Sequence, residues 1–76
     1  MKLIKVLGSG CAKCNQTVEF IKEIAQQEGA EIELQKVTEP IQIMQYNVLS
    51  TPAIVIEEKV VHSGSIPKKE QILTWL

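Results

Sequence analysis

The hydrophobic period changes once in the first half of this chain, and that change leaves few folds open. Residues 2–7, Lys2-Leu3-Ile4-Lys5-Val6-Leu7, read as a short strand, which Gly8-Ser9-Gly10 ends in a flexible turn. Cys14, Val18, Ile21 and Ala25 then recur at helical spacing, with Phe20 and Ile24 widening the apolar face until Gly29 supplies a stop. The spacing predicts a helix over residues 12–28. Residues 31–37 alternate polar and apolar with period two, which predicts a second strand with one face to cover. A helix crossing between two strands of one sheet makes them parallel, and the crossover is right-handed.

The second half continues the pattern. Thr38 is placed to cap a second helix with Glu39 and Pro40 in its first turn, where amides lack intrahelical partners. Ile41, Met44 and Val48 are expected to point inward, and the helix to end near Tyr46-Asn47, since asparagine accepts the left-handed conformation. Ala53 to Ile56 and Val60 to His62 are two short β-branched runs around Glu57-Glu58-Lys59, too close together for anything but an antiparallel hairpin. Ser65 and Pro67 start a last helix carrying Ile66, Ile72, Leu73 and Leu76. The predicted order is βαβαββα: an α/β fold with a four-stranded mixed sheet flanked by helices. No repeat or linker interrupts it, so residues 1–76 are expected to be a single domain.

Composition narrows the chemistry. A chain of 76 residues buries too little surface to enclose a deep substrate chamber, so its chemistry belongs at the surface. Eight lysines against nine glutamates give a net charge of −1, without the basic excess that nucleic acid requires. Arginine and aspartate are absent, which removes bidentate phosphate clamps and the commonest carboxylate metal ligand. The N-terminal apolar run is too short and too charged for a signal peptide or membrane span. The expected compartment is therefore the cytosol, where structural disulfides are rare.

Cys11 and Cys14 then ask for a chemical explanation. They close too small a loop to staple the fold usefully. They fall at the join of the first strand and first helix, outside a strand's carboxyl end, where open α/β sheets place their chemistry. Helix amides and Lys13 favour a thiolate at Cys11, while Cys14, one turn further in against Val18 and Ile21, stays shielded. This assigns Cys11 as the attacking sulfur and Cys14 as the resolving one. Zinc lacks its other ligands, since there is no third cysteine and His62 is the single histidine. Copper(I) needs two thiolates only, so a soft-metal carrier is the alternative reading of the same pair.

Ser50-Thr51-Pro52-Ala53-Ile54-Val55-Ile56 sets a proline at the very start of the third strand, where its missing amide is harmless. With Cys11-Ala12-Lys13-Cys14 about 40 residues upstream and the βαβαββα order, the whole chain resembles the thioredoxin superfamily, in particular its minimal, glutaredoxin-sized redox-active disulfide proteins. The resemblance implies a thiol-disulfide oxidoreductase that reduces or exchanges protein disulfides through Cys11 and Cys14. It implies that Pro52 is a cis-proline facing the sulfurs and that Thr51 docks an extended substrate. Gly10, Ala12 and Lys13 complete the substrate-facing surface, and Gly64 lies near the same groove. No cofactor or metal is implied. The expected partners are a disulfide-bearing protein and a reductase, with no nucleic acid and no membrane insertion, for a monomer. Thioredoxins keep a buried aspartate six residues before the first cysteine, and here that place is Lys5.

Four other side chains carry expectations. Lys13 is either a solvated helix lysine or the local cation of the thiolate. Tyr46 is expected to pack against the Thr51-Pro52 turn with its hydroxyl in water. His62 is expected to be solvated on an edge strand, and Trp75 to lie as a lid on the core or form a small apolar patch.

Overall fold

The first strand, β1 (Lys2–Leu7), runs through the middle of the sheet, and the helix α1 (Ala12–Glu28) follows it. The computed structural model describes residues 2–8, 12–48 and 50–76, so the expectations for Ser9, Gly10 and Cys11 lie outside the described residues. After α1 come β2 (Ile32–Val37), α2 (Pro40–Gln45), β3 (Ala53–Ile56), β4 (Lys59–Ser63) and α3 (Lys69–Leu73). The described strands form one sheet of order β2-β1-β3-β4. β1 pairs in parallel with β2, Lys2 opposite Ile32 through Leu7 opposite Val37, and antiparallel with β3, Ile4 opposite Ile56 through Leu7 opposite Ala53. This is the mixed α/β sheet that the βαβαββα order predicts.

Period-two alternation along β1 divides the core. Ile4 and Val6 face α1 and α3, joining Val18, Ile21, Ile24, Ile54, Ile56, Ile72 and Trp75. Leu7 faces the other way, with Val37, Ala53 and Val55, where Ile43, Tyr46 and Val48 cover it. Trp75 is therefore part of the core. The α1 face falls as its spacing requires, with Cys14, Thr17, Val18, Ile21, Ile24 and Ala25 buried. Gly29 closes α1 at φ 65°, while the Ala30 amide bonds Ala25 O at 2.9 Å and the Gly29 amide bonds Gln26 O at 3.2 Å. That is a Schellman ending, which a residue without a Cβ adopts at no steric cost.

The short helices depart from expectation. α2 has Glu39 as its N-cap, not Thr38, with no side-chain cap bond. Ile41 and Met44 are 73% and 71% exposed, so they do not point inward; Ile43 and Tyr46 do. The two pairs share the same three-residue spacing, and a helix of six residues is too short for periodicity to choose between them. Its end is as predicted, with Tyr46 as C-cap and Asn47 at φ 58°. α3 begins at Lys69, later than Ser65 or Pro67, because Gln71 Oε1 accepts the Lys68 amide at 2.9 Å and sets the first turn there. Ile72 is buried as expected, but Leu73 is exposed.

The hairpin turns through Glu57 and Glu58 alone, with φ of 53° and 65°, and β4 begins one residue earlier than expected, at Lys59. Two left-handed residues match the twist of the flanking strands, although glutamate lacks the glycine or asparagine preference of such turns. Tertiary contacts hold one of them. Glu58 Oε1 pairs with Lys5 Nζ at 2.9 Å, and the Tyr46 hydroxyl donates to Glu58 Oε2 at 3.1 Å. Lys5 Nζ also donates to the Tyr46 hydroxyl at 3.0 Å. The Tyr46 hydroxyl is thus bonded, not left to water, and it joins α2 to the hairpin across the sheet. His62 is half-buried and bonded. Its Nε2 lies 3.0 Å from Ser65 O, and its ring centroid is 6.4 Å from that of Trp75.

Candidate functional site

The site gathers where β1 ends, α1 begins and the chain enters β3. Antiparallel pairing sets Leu7 opposite Ala53, so Gly8 and the Thr51-Pro52 segment come to the same end of the sheet. The parallel neighbour closes the third side, with the Gly8 amide donating to Val37 O at 2.9 Å.

Cys14 lies in the first turn of α1 and is 4% exposed, in a disulfide-bonded state. Its place on the buried face, ahead of Val18 and Ile21, is the helical spacing read from the sequence. Gly8 is buried directly against it. A Cβ at position 8 would run into Cys14 Sγ, would lie 3.0 Å from Cys14 Cβ, and would be 3.7 Å from Thr51 Cβ. A side chain at position 8 would therefore meet both the cysteine and the segment before the proline. Sequence reasoning took Gly8 as part of a flexible turn and missed this role, because a side chain that is absent leaves no local signal of what occupies its space.

The Thr51–Pro52 peptide bond is cis. Pro52 is buried and Thr51 exposed, and Pro52 O accepts the Gly64 amide at 3.0 Å. Gly64, at φ 89°, is thereby held beside the proline, and a Cβ there would sit 3.5 Å from Ser50 Cβ. Ala12 and Lys13 are exposed on the outer side of the first turn of α1. Of the residues expected at the site, Ala12, Lys13, Cys14, Thr51 and Pro52 are thus described.

Behind Cys14 lies a cavity of about 30 Å³ lined by Val6, Gly8, Cys14, Asn15, Val18, Lys36 and Thr38. Lys36 Nζ donates to Asn15 Oδ1 at 3.0 Å, bridging β2 to α1 next to the cysteine. Neither residue was singled out from the sequence. The signal was present for Lys36: it follows Ile32 and Leu34 in the period-two row that faces α1, at a position where that row brings an apolar residue elsewhere.

Lys5 takes no part in this cavity. The hydrogen bonds that Lys5 donates, first to Tyr46 and then to Glu58, hold its ammonium above the ordinary lysine range, and the bond from Lys5 holds the Glu58 carboxyl below its own. Among the described residues no three of His, Cys, Asp and Glu are grouped as metal ligands, and no helix is long and apolar enough to cross a membrane.

Comparison with known proteins agrees with this geometry. Residues 2–76 match the family model described as a thioredoxin domain. Over 72 residues, covering 95% of this chain and 83% of the relative, the chain is 38% identical to a thioredoxin of Methanocaldococcus jannaschii. It is 26% identical to a thioredoxin of Methanothermobacter thermautotrophicus over 95% of this chain and 94% of that one. With a single thioredoxin-domain match along nearly its whole length, the chain belongs to the thioredoxin family.

Proposed function

We propose that this thioredoxin-family protein is a thiol-disulfide oxidoreductase that exchanges or reduces disulfides of other proteins through Cys11 and Cys14. The observation that carries the reading is a buried, disulfide-state Cys14 packed on Gly8 next to the Thr51–Pro52 segment. In this reading Cys11 attacks the substrate disulfide as a thiolate. Cys14 then displaces the reduced substrate from the mixed disulfide, and a separate reductase returns the pair to dithiol form. Exposed Thr51, with Ala12, Lys13 and Gly10 around the cysteines, forms the surface on which an extended segment of the substrate lies, and Pro52 sets its back wall. Lys5 is committed to Tyr46 and Glu58, so the proton leaving Cys14 needs an acceptor other than a carboxylate at that place. The cytosol, as a reducing compartment, suits this chemistry.

The test is turnover of a model protein disulfide by the reduced protein. Multiple turnover should be lost in both Cys11→Ser and Cys14→Ser, and Cys14→Ser should leave a persistent mixed disulfide on Cys11. Tight copper(I) binding without disulfide turnover, lost when either cysteine is replaced, would establish a soft-metal carrier instead.

A further inference from the structure

The two outer strands of the sheet end it differently. β4 carries a register shift between Ile54 and Val55 of its neighbour and starts with Lys59, and both features blunt an edge against further pairing. β2 pairs with β1 in unbroken register from Ile32 to Val37, and among the described residues no strand covers its other side. Beside this open edge lies a cavity of about 300 Å³ lined by Lys22, Ala25, Gln26, Ala30, Ile32 and Leu34. Ile32 and Leu34 are only half-buried there.

Helix α1 brings a polar row to the same edge. Asn15 bonds Lys36 of β2 at 3.0 Å, and Lys22 and Gln26 share the cavity with Ile32 and Leu34. Glu19 falls between them at helical spacing, so Asn15, Glu19, Lys22 and Gln26 form one row along the edge. Two residues of strand span about the length of four residues of helix. With Asn15 level with Lys36, Glu19 is therefore level with Leu34, and Lys22 lies just past it. Both are exposed, and neither forms an ion pair among the described residues.

We propose that β2 pairs antiparallel with β2 of a second copy, making a twofold dimer in which two four-stranded sheets become one. Each strand keeps its faces only if the twofold axis passes through a residue, which leaves Glu33, Leu34 and Gln35 as centres that pair most of the strand. Centring on Glu33 sets two like charges directly opposite each other. Centring on Gln35 runs half-buried Ile32 past the end of the partner strand and leaves it uncovered. Centring on Leu34 sets Leu34 opposite Leu34, Ile32 opposite Lys36 and Glu33 opposite Gln35, and leaves out only Val37, which the chain already buries. Because α1 lies over both β1 and β2, this pairing brings the two copies of α1 about 10 Å apart, the ordinary packing distance. They run antiparallel, so Glu19 of each copy comes beside Lys22 of the other. That self-complementary charge selects a second copy, and not a foreign strand, as the occupant. The two Cys14 sites then lie toward opposite ends of the shared sheet. The dimer stands in place of the monomer that the resemblance implies, and it does not depend on the reaction assigned to the cysteines.

Sedimentation equilibrium of the full chain, with reductant present to exclude links through cysteine, tests this. Dimers of twice 8.5 kDa should form with a dissociation constant of about 10–100 µM. A monomer at about 1 mM overturns the proposal. Glu19→Lys and Lys22→Glu each turn two attractive pairs into repulsive ones, and each should weaken association about five- to twentyfold. The double reversal should restore it to within about threefold of the parent. A dimer untouched by either single reversal, or one that the double reversal does not restore, uses another surface and overturns the proposal. The register has its own readout. In the Cys11→Ser, Cys14→Ser background, Leu34→Cys should cross-link to a covalent dimer on mild oxidation at least about fivefold faster than Glu33→Cys or Gln35→Cys. Faster linking at position 33 or 35 overturns the centre at Leu34.

Discussion

Gly8 and Cys14 occupy one space between them: the cysteine sulfur fills the volume that a side chain at position 8 would need. The end of β1 and the first turn of α1 are thereby held at a separation that any larger residue at position 8 has to widen. The amide of Gly8 is tied to Val37 O, so the backbone has little freedom to withdraw.

Gly8→Ala is therefore expected to destabilise the protein by about 1–3 kcal/mol, as overpacking of a filled site does. Denaturant melts of the oxidised and reduced forms measure this. The loss should be accompanied by a changed redox midpoint, because the added methyl meets the sulfur itself.

Burial of Cys14 makes a second prediction, concerning access. Brief iodoacetamide treatment of the reduced protein, followed by peptide mass spectrometry, should label Cys11 at least about tenfold faster than Cys14. Faster labelling of Cys14 would reverse the roles proposed for the two sulfurs.

The orientation of α2 is open to a direct test. Ile43 is half-buried over Leu7, Val37, Ala53 and Val55, so Ile43→Ala should cost about 1–2 kcal/mol, below the range of a fully buried isoleucine. Ile41→Ser and Met44→Ser, at exposed positions, should each stay within about 0.5 kcal/mol of the parent. Equal losses at Ile43, Ile41 and Met44 would mean that the helix does not sit in this phase.

The Lys5–Tyr46–Glu58 contact has a defined pH signature. The Glu58 carboxyl is held below its ordinary value of 4.5, chiefly by the bond from Lys5 and then by that from Tyr46. A lowered acid value in the folded state means that its stabilising contribution is complete above about pH 4.5 and is lost as pH falls through the lower folded value. Lys5 is raised above 10.5, first by Tyr46 and then by Glu58, so its contribution is complete below that pH and fades as pH rises through the higher folded value. Glu58→Gln should flatten the acid limb of a stability-against-pH curve and leave the neutral plateau little changed, since the pair is solvent-screened. Added salt should flatten the same limb in the parent protein.

The elements long enough to repeat a pattern were determined by the sequence itself. Over residues 12–28 the apolar spacing returns nearly five times around one face, so α1, its buried residues and its glycine stop follow from local order. Strand alternation and the crossover argument similarly settle the sheet's parallel pair, and Cys14, Thr51 and Pro52 stand out because their residue types and spacing carry chemistry. Tertiary structure decided what local order leaves degenerate. In α2 the pairs Ile41/Met44 and Ile43/Tyr46 are equivalent by spacing, and only the surface presented by Leu7, Val37, Ala53 and Val55 selects the second. Lys5 and Glu58 are 53 positions apart, and nothing near either one announces the other. The same holds for Gly8 against Cys14 and Lys36 beside Asn15: each is a fit between segments that meet only when the sheet has closed. Periodicity is a property of neighbours along the chain, whereas packing volume and charge pairing belong to neighbours in space.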